Sequence, residues 1–200
     1  LRIDEDNGDI LVEPSAWTMQ GGVAGIGWNL CGIRQDLAVV APFQQGTRLP
    51  LNHPQVQGKS ATWPDQWEAG FLIFEGPQAG FTIQAWDESF IFKRVTIGHP
   101  QCAQAVTLAT MAPGPLEMNR CVGNLCWRIS AFQGNWTVPA KRYRDWYWKA
   151  YRLQEAQGLR PDWVDGLRLA VSWCPSNTEL LDALARVIEP QRVFLNVPNW

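Results

Sequence analysis

Short apolar runs separated by turn-forming residues dominate the first two thirds of the chain. Runs of strand length with no helical period between them are typical of antiparallel sheets. They predict strands at residues 1–3, 10–12, 36–43, 71–75, 81–86, 90–97, 103–111 and 125–132. Because no helical period precedes residue 137, we predict a mainly β fold that begins with an antiparallel β-sandwich.

The segments between these runs predict the connections. Asn7-Gly8 is typical of a tight type I′ hairpin turn, and residues 76–80 predict a five-residue hairpin loop. Residues 15–34 are rich in glycine, but they lack the glycine spacing of a dinucleotide site and the lysine of a P-loop. We therefore predict a long turn-rich loop there and a second long loop over residues 44–67.

The pattern changes at Gly134. Pro139 suits a first helical position, and apolar residues then recur at helical spacing as far as Gln154, with charged residues on the other face. Glycine is a frequent helix terminator, so this helix is predicted to end near Gly158. The chain is thus divided into a sandwich domain (1–133), a connecting helix and linker (134–166), and a last segment (167–200).

The last segment predicts a βαβ unit. Residues 167–173 and 193–198 are apolar runs of strand length, and the Ser176–Glu179 capping box begins an amphipathic helix between them. The two strands should be parallel, and parallel sheets are normally covered on both faces. We therefore expect this segment to open a larger α/β domain, of which the chain contains only a fragment.

Composition adds few constraints. The chain is 46% apolar and 18% charged with a net charge of −2, which is typical of a globular protein and indicates neither a nucleic acid nor an anionic membrane as partner. No run approaches the roughly 20 apolar residues of a membrane helix. Nothing in the sequence predicts a cofactor or a localisation.

The five cysteines predict no metal site. They show no CxxC spacing and are accompanied by only two histidines, which is too few ligands at the wrong spacing for zinc. Unpaired cysteines are usually buried, so we predict buried free thiols. A disulfide between Cys121 and Cys126 across a short turn is the alternative.

Tryptophan is the most prominent candidate for chemistry. Aromatic rings stack on the apolar faces of sugars, although tryptophan also fills sandwich cores and domain interfaces. Of the twelve tryptophans, Trp63 and Trp67 lie in a loop that contains prolines and carboxylates. Both are therefore predicted to be exposed and to bind a carbohydrate.

Paired carboxylates are candidates for glycoside cleavage, which commonly uses two of them. The pairs Asp65/Glu68 and Asp87/Glu88 lie outside the helices and the N-terminal hairpin, and neither has a neighbouring histidine or tyrosine to tune it. We interpret both as solvated turns. No Gly-x-Ser-x-Gly motif is present either, so no catalytic residue is assigned.

Taken in order, four segments resemble the N-terminal part of glycoside hydrolases related to endo-α-N-acetylgalactosaminidases and α-galactosidase-like enzymes. They are an opening hairpin, a central hairpin, the joining helix Gly-Asn-Trp-Thr-Val-Pro-Ala-Lys-Arg-Tyr-Arg-Asp-Trp, and the βαβ start, at residues 6–11, 67–87, 134–146 and 167–200. The resemblance implies a galactose-mutarotase-like β-supersandwich followed by the first βαβ unit of an incomplete (β/α)8 barrel.

The resemblance places the catalytic carboxylates on later barrel strands. It implies that this chain alone is inactive and that its partners are a carbohydrate and the missing remainder of the barrel. Barrel active sites form at the C-terminal ends of strands, so Asn196, Asn199 and Trp200 are predicted to bind substrate at the rim of a sugar pocket. The alternative is a self-contained, non-catalytic carbohydrate-binding or assembly module.

Overall fold

The computed structural model describes the chain except for residues 45, 100, 101, 113, 124, 160, 172–177 and 197–200. It contains two compact units, Leu1–Tyr151 and Arg152–Trp200. This boundary differs from the predicted boundaries after residues 133 and 166. The reason is that the predicted connecting helix belongs to the first unit, where its Trp146 stacks on Trp86 with ring centroids 5.5 Å apart.

The first unit is mainly β. Its helix α1 spans Thr137–Ala150, and a short 3-10 turn spans Leu116–Met118. Its strands are β1 (Arg2–Ile3), β2 (Ile10–Val12), β3 (Ala16–Trp17), β4 (Gly25–Cys31), β5 (Ala38–Ala41), β6 (Thr47–Pro50), β7 (Ser60–Trp63), β8 (Phe71–Glu75), β9 (Ala79–Ala85), β10 (Lys93–His99), β11 (Cys102–Met111), β12 (Cys121–Val122) and β13 (Trp127–Gln133).

Two antiparallel sheets contain most of these strands. The larger sheet has the order β1-β2-β13-β9-β8-β5-β6 and the smaller has the order β4-β11-β10-β7, while β3 pairs with β12. One buried hydrophobic cluster takes side chains from both, such as Leu72 and Ile83 from the larger sheet and Val95 and Leu108 from the smaller. Burial of apolar surface between the sheets stabilises this arrangement. The predicted mainly β, antiparallel fold is confirmed.

The first hairpin forms as predicted, but its turn is not a two-residue turn. The backbone N–H of Asp4 donates to the Asp9 carbonyl (2.8 Å), so the loop between them is four residues long. Only Gly8 of the predicted Asn7-Gly8 pair has a positive φ, at 74°. The Asn7 amide instead donates to the Asp4 carboxylate (3.0 Å), and such local side-chain bonds favour the wider loop.

The predicted loop over residues 15–34 is wrong, because it contains β3 and the seven-residue strand β4. A Cβ atom on Gly25 would lie 2.8 Å from the Thr110 carbonyl oxygen of β11. Glycine here therefore permits a close approach of two strands rather than a turn. The missed signal was the alternation of partly buried apolar residues at Ile26, Trp28 and Leu30.

The predicted loop over residues 44–67 is also wrong in part, since β6 and β7 lie within it. Each has only four residues and occupies a sheet edge, β6 beside β5 and β7 beside β10. Short edge strands carry little apolar periodicity. Elsewhere β8 and β9 form the predicted antiparallel hairpin, with a loop of residues 76–78 rather than 76–80.

The long helix ends earlier than predicted. Asn135 accepts hydrogen bonds from the backbone N–H (3.0 Å) and the hydroxyl (2.5 Å) of Thr137 at its start. The helix α1 ends at Ala150, and Arg152 then adopts a left-handed conformation with φ 50°. A left-handed residue breaks the right-handed helical path, so the segment up to Gly158 continues as a separate short helix.

The second unit contains the predicted strand–helix–strand order. Its elements are α2 (Leu153–Gln157), α3 (Trp163–Gly166), β14 (Leu169–Val171), α4 (Thr178–Val187), a 3-10 turn (Pro190–Arg192) and β15 (Val193–Leu195). The pair β14–β15 is parallel, from Leu169↔Val193 to Val171↔Leu195, which confirms the predicted pairing. Among the described residues, no helix is long and apolar enough to cross a membrane.

Asp9 ties the hairpin to β13 and α1. Its carboxylate, 5% exposed, accepts hydrogen bonds from Arg128 (2.7 Å) and Arg142 (2.6 Å). Both guanidinium groups lie over the Trp86 ring, at 4.2 and 5.4 Å from its centroid. Burial alone raises the pKa of Asp9, but the bonds from Arg142 and Arg128 outweigh burial and hold that pKa below its ordinary value.

We expect Asp9 to stabilise the fold at neutral pH and to lose this contribution in acid. A lowered folded pKa contributes in full above the ordinary value of 3.8 and is lost as the pH falls through the folded value. Asp9→Asn should lower the free energy of unfolding by about 1.5–3 kcal/mol at neutral pH, with the difference vanishing near pH ~2. Urea unfolding across pH measures this effect.

The matched control is Asp36→Asn, because Asp36 forms an exposed ion pair with Arg34. That substitution should change stability by less than about 1 kcal/mol at any pH. Equal losses in the two variants at neutral pH would contradict the role given to Asp9.

Candidate functional site

The candidate site is the loop that carries the chain from β9, in the larger sheet, to β10, in the smaller sheet. The carboxylate of Asp87 accepts hydrogen bonds from the backbone of this loop. Its Oδ1 accepts the backbone N–H of Ser89 (2.8 Å), and its Oδ2 accepts the backbone N–H of Ile91 (2.8 Å). Such aspartate-to-backbone bonds fix a turn whose own N–H groups would otherwise lack partners.

Lys93 completes this buried arrangement. Its Nζ donates to Asp87 Oδ2 (2.8 Å) and to the Ile91 carbonyl oxygen (2.8 Å). The two charged side chains are 3% and 4% exposed. Burial lowers the pKa of Lys93, and the bond to Asp87 offsets this effect only in part. The pair is therefore a fixed internal support rather than a pair of surface charges.

This support carries a set of aromatic rings. Lys93 Nζ lies 3.7 Å from the centroid of the Trp63 ring, within cation–π distance. The Phe90 ring lies 6.2 Å from the Trp63 ring with an interplanar angle of 25°, and 5.0 Å from the Tyr151 ring. We call Trp63, Phe90 and Tyr151 the aromatic face.

Phe90 is the exposed member of the aromatic face. It is 58% exposed, although its apolar ring would gain from burial, and Phe92 in the same loop is 57% exposed. Its φ of 55° is unusual for a bulky residue and is maintained by the surrounding hydrogen bonds of Asp87. A strained backbone that presents an aromatic ring to solvent is a feature typical of functional sites.

Tyr151 directly follows helix α1, and a hydrogen bond to the loop holds its side chain in place. The Tyr151 hydroxyl donates to the Asp87 carbonyl oxygen, and burial is the main cause that raises the pKa of Tyr151 to about 12. About two turns earlier, the Tyr143 hydroxyl accepts the backbone N–H of Gly70 (3.1 Å). The phenol of Tyr151 is thus neutral at ordinary pH and acts as a hydrogen-bond donor.

Trp63 and Trp67, predicted as exposed sugar contacts, differ in their surroundings. Trp63 is partly buried beside the exposed Phe90. Trp67 is 0% exposed, so the prediction of exposure is wrong for this residue. Its ring stacks on Trp127 at 6.3 Å and its Nε1 donates to the Phe71 carbonyl oxygen (3.0 Å), which makes it part of the core.

The predicted sites at the strand ends belong to the second unit. Asn196 follows β15 directly, is exposed, and donates its backbone N–H to the Val171 carbonyl oxygen of β14 (2.9 Å). Asn199 and Trp200 lie outside the described residues, as do Trp173 and Cys174 at the end of the other predicted strand. The sugar pocket proposed at these strand ends stays a prediction.

The carboxylate pairs do not form an acid–base pair. Asp87 is bonded within its loop, while Glu88 and Asp65 are exposed. No sequence pattern indicates Glu75, which is 6% exposed and accepts hydrogen bonds from Arg48 (2.8 Å) and from the backbone N–H of Trp136 (2.8 Å). Over the residues that the structure describes, no three His, Cys, Asp or Glu side chains are placed to hold a metal ion.

A cavity of about 190 Å³ lies elsewhere in the first unit. Its lining is formed by Gln35, Leu51, Asn52, Gln57 and Gln104. Gln57 precedes β7 at the end opposite Trp63, and its side-chain amide donates to the Leu51 carbonyl oxygen (2.5 Å). The lining offers amides but no aromatic ring, so this cavity is separate from the aromatic face.

The sequence prediction missed the aromatic face as a unit. The sequence pattern predicts that a strand begins at Phe90, whereas β10 begins at Lys93. The available signal was the order Asp87, Glu88, Ser89, in which an aspartate two residues before a serine is typical of a turn. The pairing of Asp87 with Lys93 could not be inferred from spacing alone.

The cysteines are free but not all buried. Cys31 and Cys121 are exposed and Cys102 and Cys126 are partly buried, so the prediction of buried thiols is wrong for the first two. The alternative Cys121–Cys126 disulfide is not formed. The fifth predicted thiol, Cys174, lies outside the described residues.

Comparison with protein-family models, curated proteins and solved structures found no match to this chain. The resemblance to glycoside hydrolases therefore remains a prediction from the sequence motifs.

We expect Lys93→Met to destabilise the first unit strongly. Methionine keeps most of the side-chain volume but leaves the Asp87 carboxylate buried without its cation, which typically costs about 3–5 kcal/mol. Urea unfolding monitored by circular dichroism measures the loss. The control is Arg34→Met, which breaks an exposed ion pair and should cost less than about 1 kcal/mol; a similar loss in both variants would refute the buried support.

Proposed function

We propose that the sandwich unit binds a carbohydrate at the aromatic face. The observation that carries this proposal is the exposed Phe90 ring beside Trp63. Hydrogen bonds to the buried Asp87 fix the conformation of the loop that holds this ring. The C–H faces of a sugar ring are apolar and pack on such rings, while its hydroxyl groups remain available to water and to polar neighbours. Glu88 is exposed in the same loop and offers a hydrogen-bond acceptor.

Preorganisation supports the proposal. Ordering flexible side chains on binding typically costs about 0.5–1.5 kcal/mol each. In this loop Asp87 already fixes two backbone N–H groups, and Lys93 fixes the Trp63 ring from the buried side. A ligand that binds here therefore meets rings whose positions are already set.

The sheet arrangement and the sequence resemblance also support a carbohydrate ligand. The antiparallel sheets of seven and four strands share one core, which is consistent with the β-sandwich part of the fold that the resemblance implies. Of the segments that carry the resemblance, residues 6–11 contain part of the first hairpin and residues 67–87 contain the β8–β9 hairpin. We extend the proposal on this basis to galactose-configured sugars.

Phe90→Ala should weaken binding of the sugar by about twofold to tenfold, because an aromatic contact contributes about 0.5–1.5 kcal/mol. Isothermal titration calorimetry should use oligosaccharides that end in galactose, N-acetylgalactosamine or glucose. The matched control is Trp17→Ala, which removes a 76% exposed ring on β3. Failure of the wild-type protein to bind any of these sugars, or equal losses in the two variants, would refute the proposal.

A second candidate function is favoured by the parallel β14–β15 pair with α4 between its strands. We propose that this unit begins a (β/α)8 barrel in a glycoside hydrolase whose catalytic carboxylates lie outside residues 1–200. The support is the predicted βαβ order, together with the position of Asn196 directly after β15. Barrel enzymes place their substrate-binding residues at such strand ends.

This second candidate predicts that the product of the full reading frame and residues 1–200 alone differ in hydrolytic activity. The product of the full reading frame should hydrolyse aryl α-galactosides or α-N-acetylgalactosaminides, whereas residues 1–200 alone should not, because neither carboxylate role is filled within them. Release of the aryl group measures the activity. A reading frame that encodes no further β/α repeats would exclude the barrel and leave sugar binding by the sandwich as a separate question.

A further inference from the structure

The smaller sheet ends on one side in a long edge strand. In the order β4-β11-β10-β7, β4 is the first strand, and it spans seven residues, Gly25–Cys31. It contains no charged residue and no proline. An exposed edge strand presents unpaired N–H and C=O groups that can pair with another chain, and proteins usually prevent such pairing with short edges, charges or proline.

The other edges of the two main sheets carry this kind of protection. Strand β1 has two residues and begins with Arg2, while β6 has four residues, which include Arg48 and end at Pro50. Strand β7 has four residues and is followed by Pro64. In the main sheets of the described part of the chain, β4 is therefore the long edge that lacks every such feature.

The free side of β4 carries the backbone groups of every second residue. Directly beyond the strand, the Ala112 N–H donates to the Ala24 carbonyl oxygen (3.0 Å). In an antiparallel ladder, residues that bond a neighbouring strand alternate with residues whose N–H and C=O groups point away from it. Ile26, Trp28 and Leu30 therefore bond β11. The outward-pointing residues are Gly25, Gly27, Asn29 and Cys31.

These outward groups are open to a partner. All four residues are exposed, and over the residues that the structure describes no backbone hydrogen bond from another segment reaches them. Ile26, Trp28 and Leu30 are partly buried, and Trp28 and Leu30 pack against the core. A further strand beside β4 would cover more of these apolar side chains, and such burial is favourable.

We propose that β4 pairs antiparallel with β4 of a second copy of this chain, about a two-fold axis at Trp28. This register places Trp28 opposite the partner's Trp28 and Ile26 opposite the partner's Leu30. The partly buried apolar side chains of the two copies thus meet on the same face of the joined sheet.

The same register satisfies the backbone. It places Gly25 opposite the partner's Cys31 and Gly27 opposite the partner's Asn29, so that outward-pointing groups of one strand meet those of the other. A two-fold interface must be self-complementary, and a slip by one residue would remove this match. The two smaller sheets would form one continuous sheet of eight strands, four from each copy.

The dimer does not depend on the proposed sugar binding, because no residue of the aromatic face lies on β4. Its first test is sedimentation equilibrium of the chain from about 10 μM to about 1 mM. We expect the average mass to rise with concentration from 22.6 kDa towards twice that value.

Amide hydrogen exchange, followed by NMR, identifies the surface that pairs. The N–H groups of Ile26 and Trp28 bond β11, so they should be protected at every concentration. Those of Gly27 and Asn29 should gain protection only as the dimer forms. This measurement uses the unaltered chain and therefore does not depend on the folding of any variant.

The variant Asn29→Pro removes an outward N–H from each copy without removing a backbone bond to β11. It should weaken dimerisation by about tenfold or more, because two hydrogen bonds across the axis are lost and the proline ring obstructs the edge. Circular dichroism checks that the variant is folded.

The matched control is Ser60→Pro on β7, at the opposite edge of the same sheet. Each substitution also removes one side-chain hydrogen bond to a threonine of the neighbouring strand, from Asn29 to Thr107 (2.6 Å) or from Ser60 to Thr96 (3.0 Å). The control should leave dimerisation unchanged.

A chain that stays monomeric up to about 1 mM overturns the proposal, as does equal weakening by the two proline variants. A dimer without new protection at Gly27 and Asn29 would use another surface, which also overturns it. Protection of these amides only after addition of an unrelated extended peptide would assign the edge to a different partner and overturn the dimer.

Discussion

The ion pair between Asp87 and Lys93 holds the point at which the chain crosses from one sheet to the other. Asp87 follows β9 of the larger sheet and Lys93 begins β10 of the smaller one, and both side chains are almost fully buried. Desolvation of two charges is costly, so such a pair persists only when its remaining hydrogen-bonding groups are satisfied. Here the backbone of the loop forms these hydrogen bonds with Asp87 and Lys93. The conformation of the loop therefore depends on the same buried pair that joins the two sheets.

The aromatic face is a consequence of this constraint. Because the carboxylate fixes the N–H groups of Ser89 and Ile91, Phe90 between them takes its left-handed conformation and its ring lies at the surface. The ammonium group reaches the Trp63 ring from the buried side. Polar interactions on the buried side thus determine the positions of the Phe90 and Trp63 rings. The binding proposal therefore depends on the rigidity of this loop more than on the number of aromatic residues in the chain.

Sequence patterns predicted what is local and missed what depends on distant pairing. The hairpin β8–β9 and the strand–helix–strand order of the second unit follow from periodicity within short segments. Strand β4 was missed because its glycines, which allow close approach to β11, are also typical of loops. Trp63 and Trp67 are four residues apart and have equal propensities, yet sheet stacking buries one on Trp127 and leaves the other beside Phe90.

The same limit applies to the cysteines. Cysteine patterns are interpreted by spacing along the chain, which suits metal motifs and short-turn disulfides, and by that criterion Cys121 and Cys126 were the natural pair. In the fold these two thiols stay free, and antiparallel pairing of β4 with β11 places Cys31 opposite Ala105. Strand register decides which residues meet, as it does at the aromatic face, where Trp63 of β7 lies opposite Lys93 of β10. Spacing along the chain encodes neither arrangement.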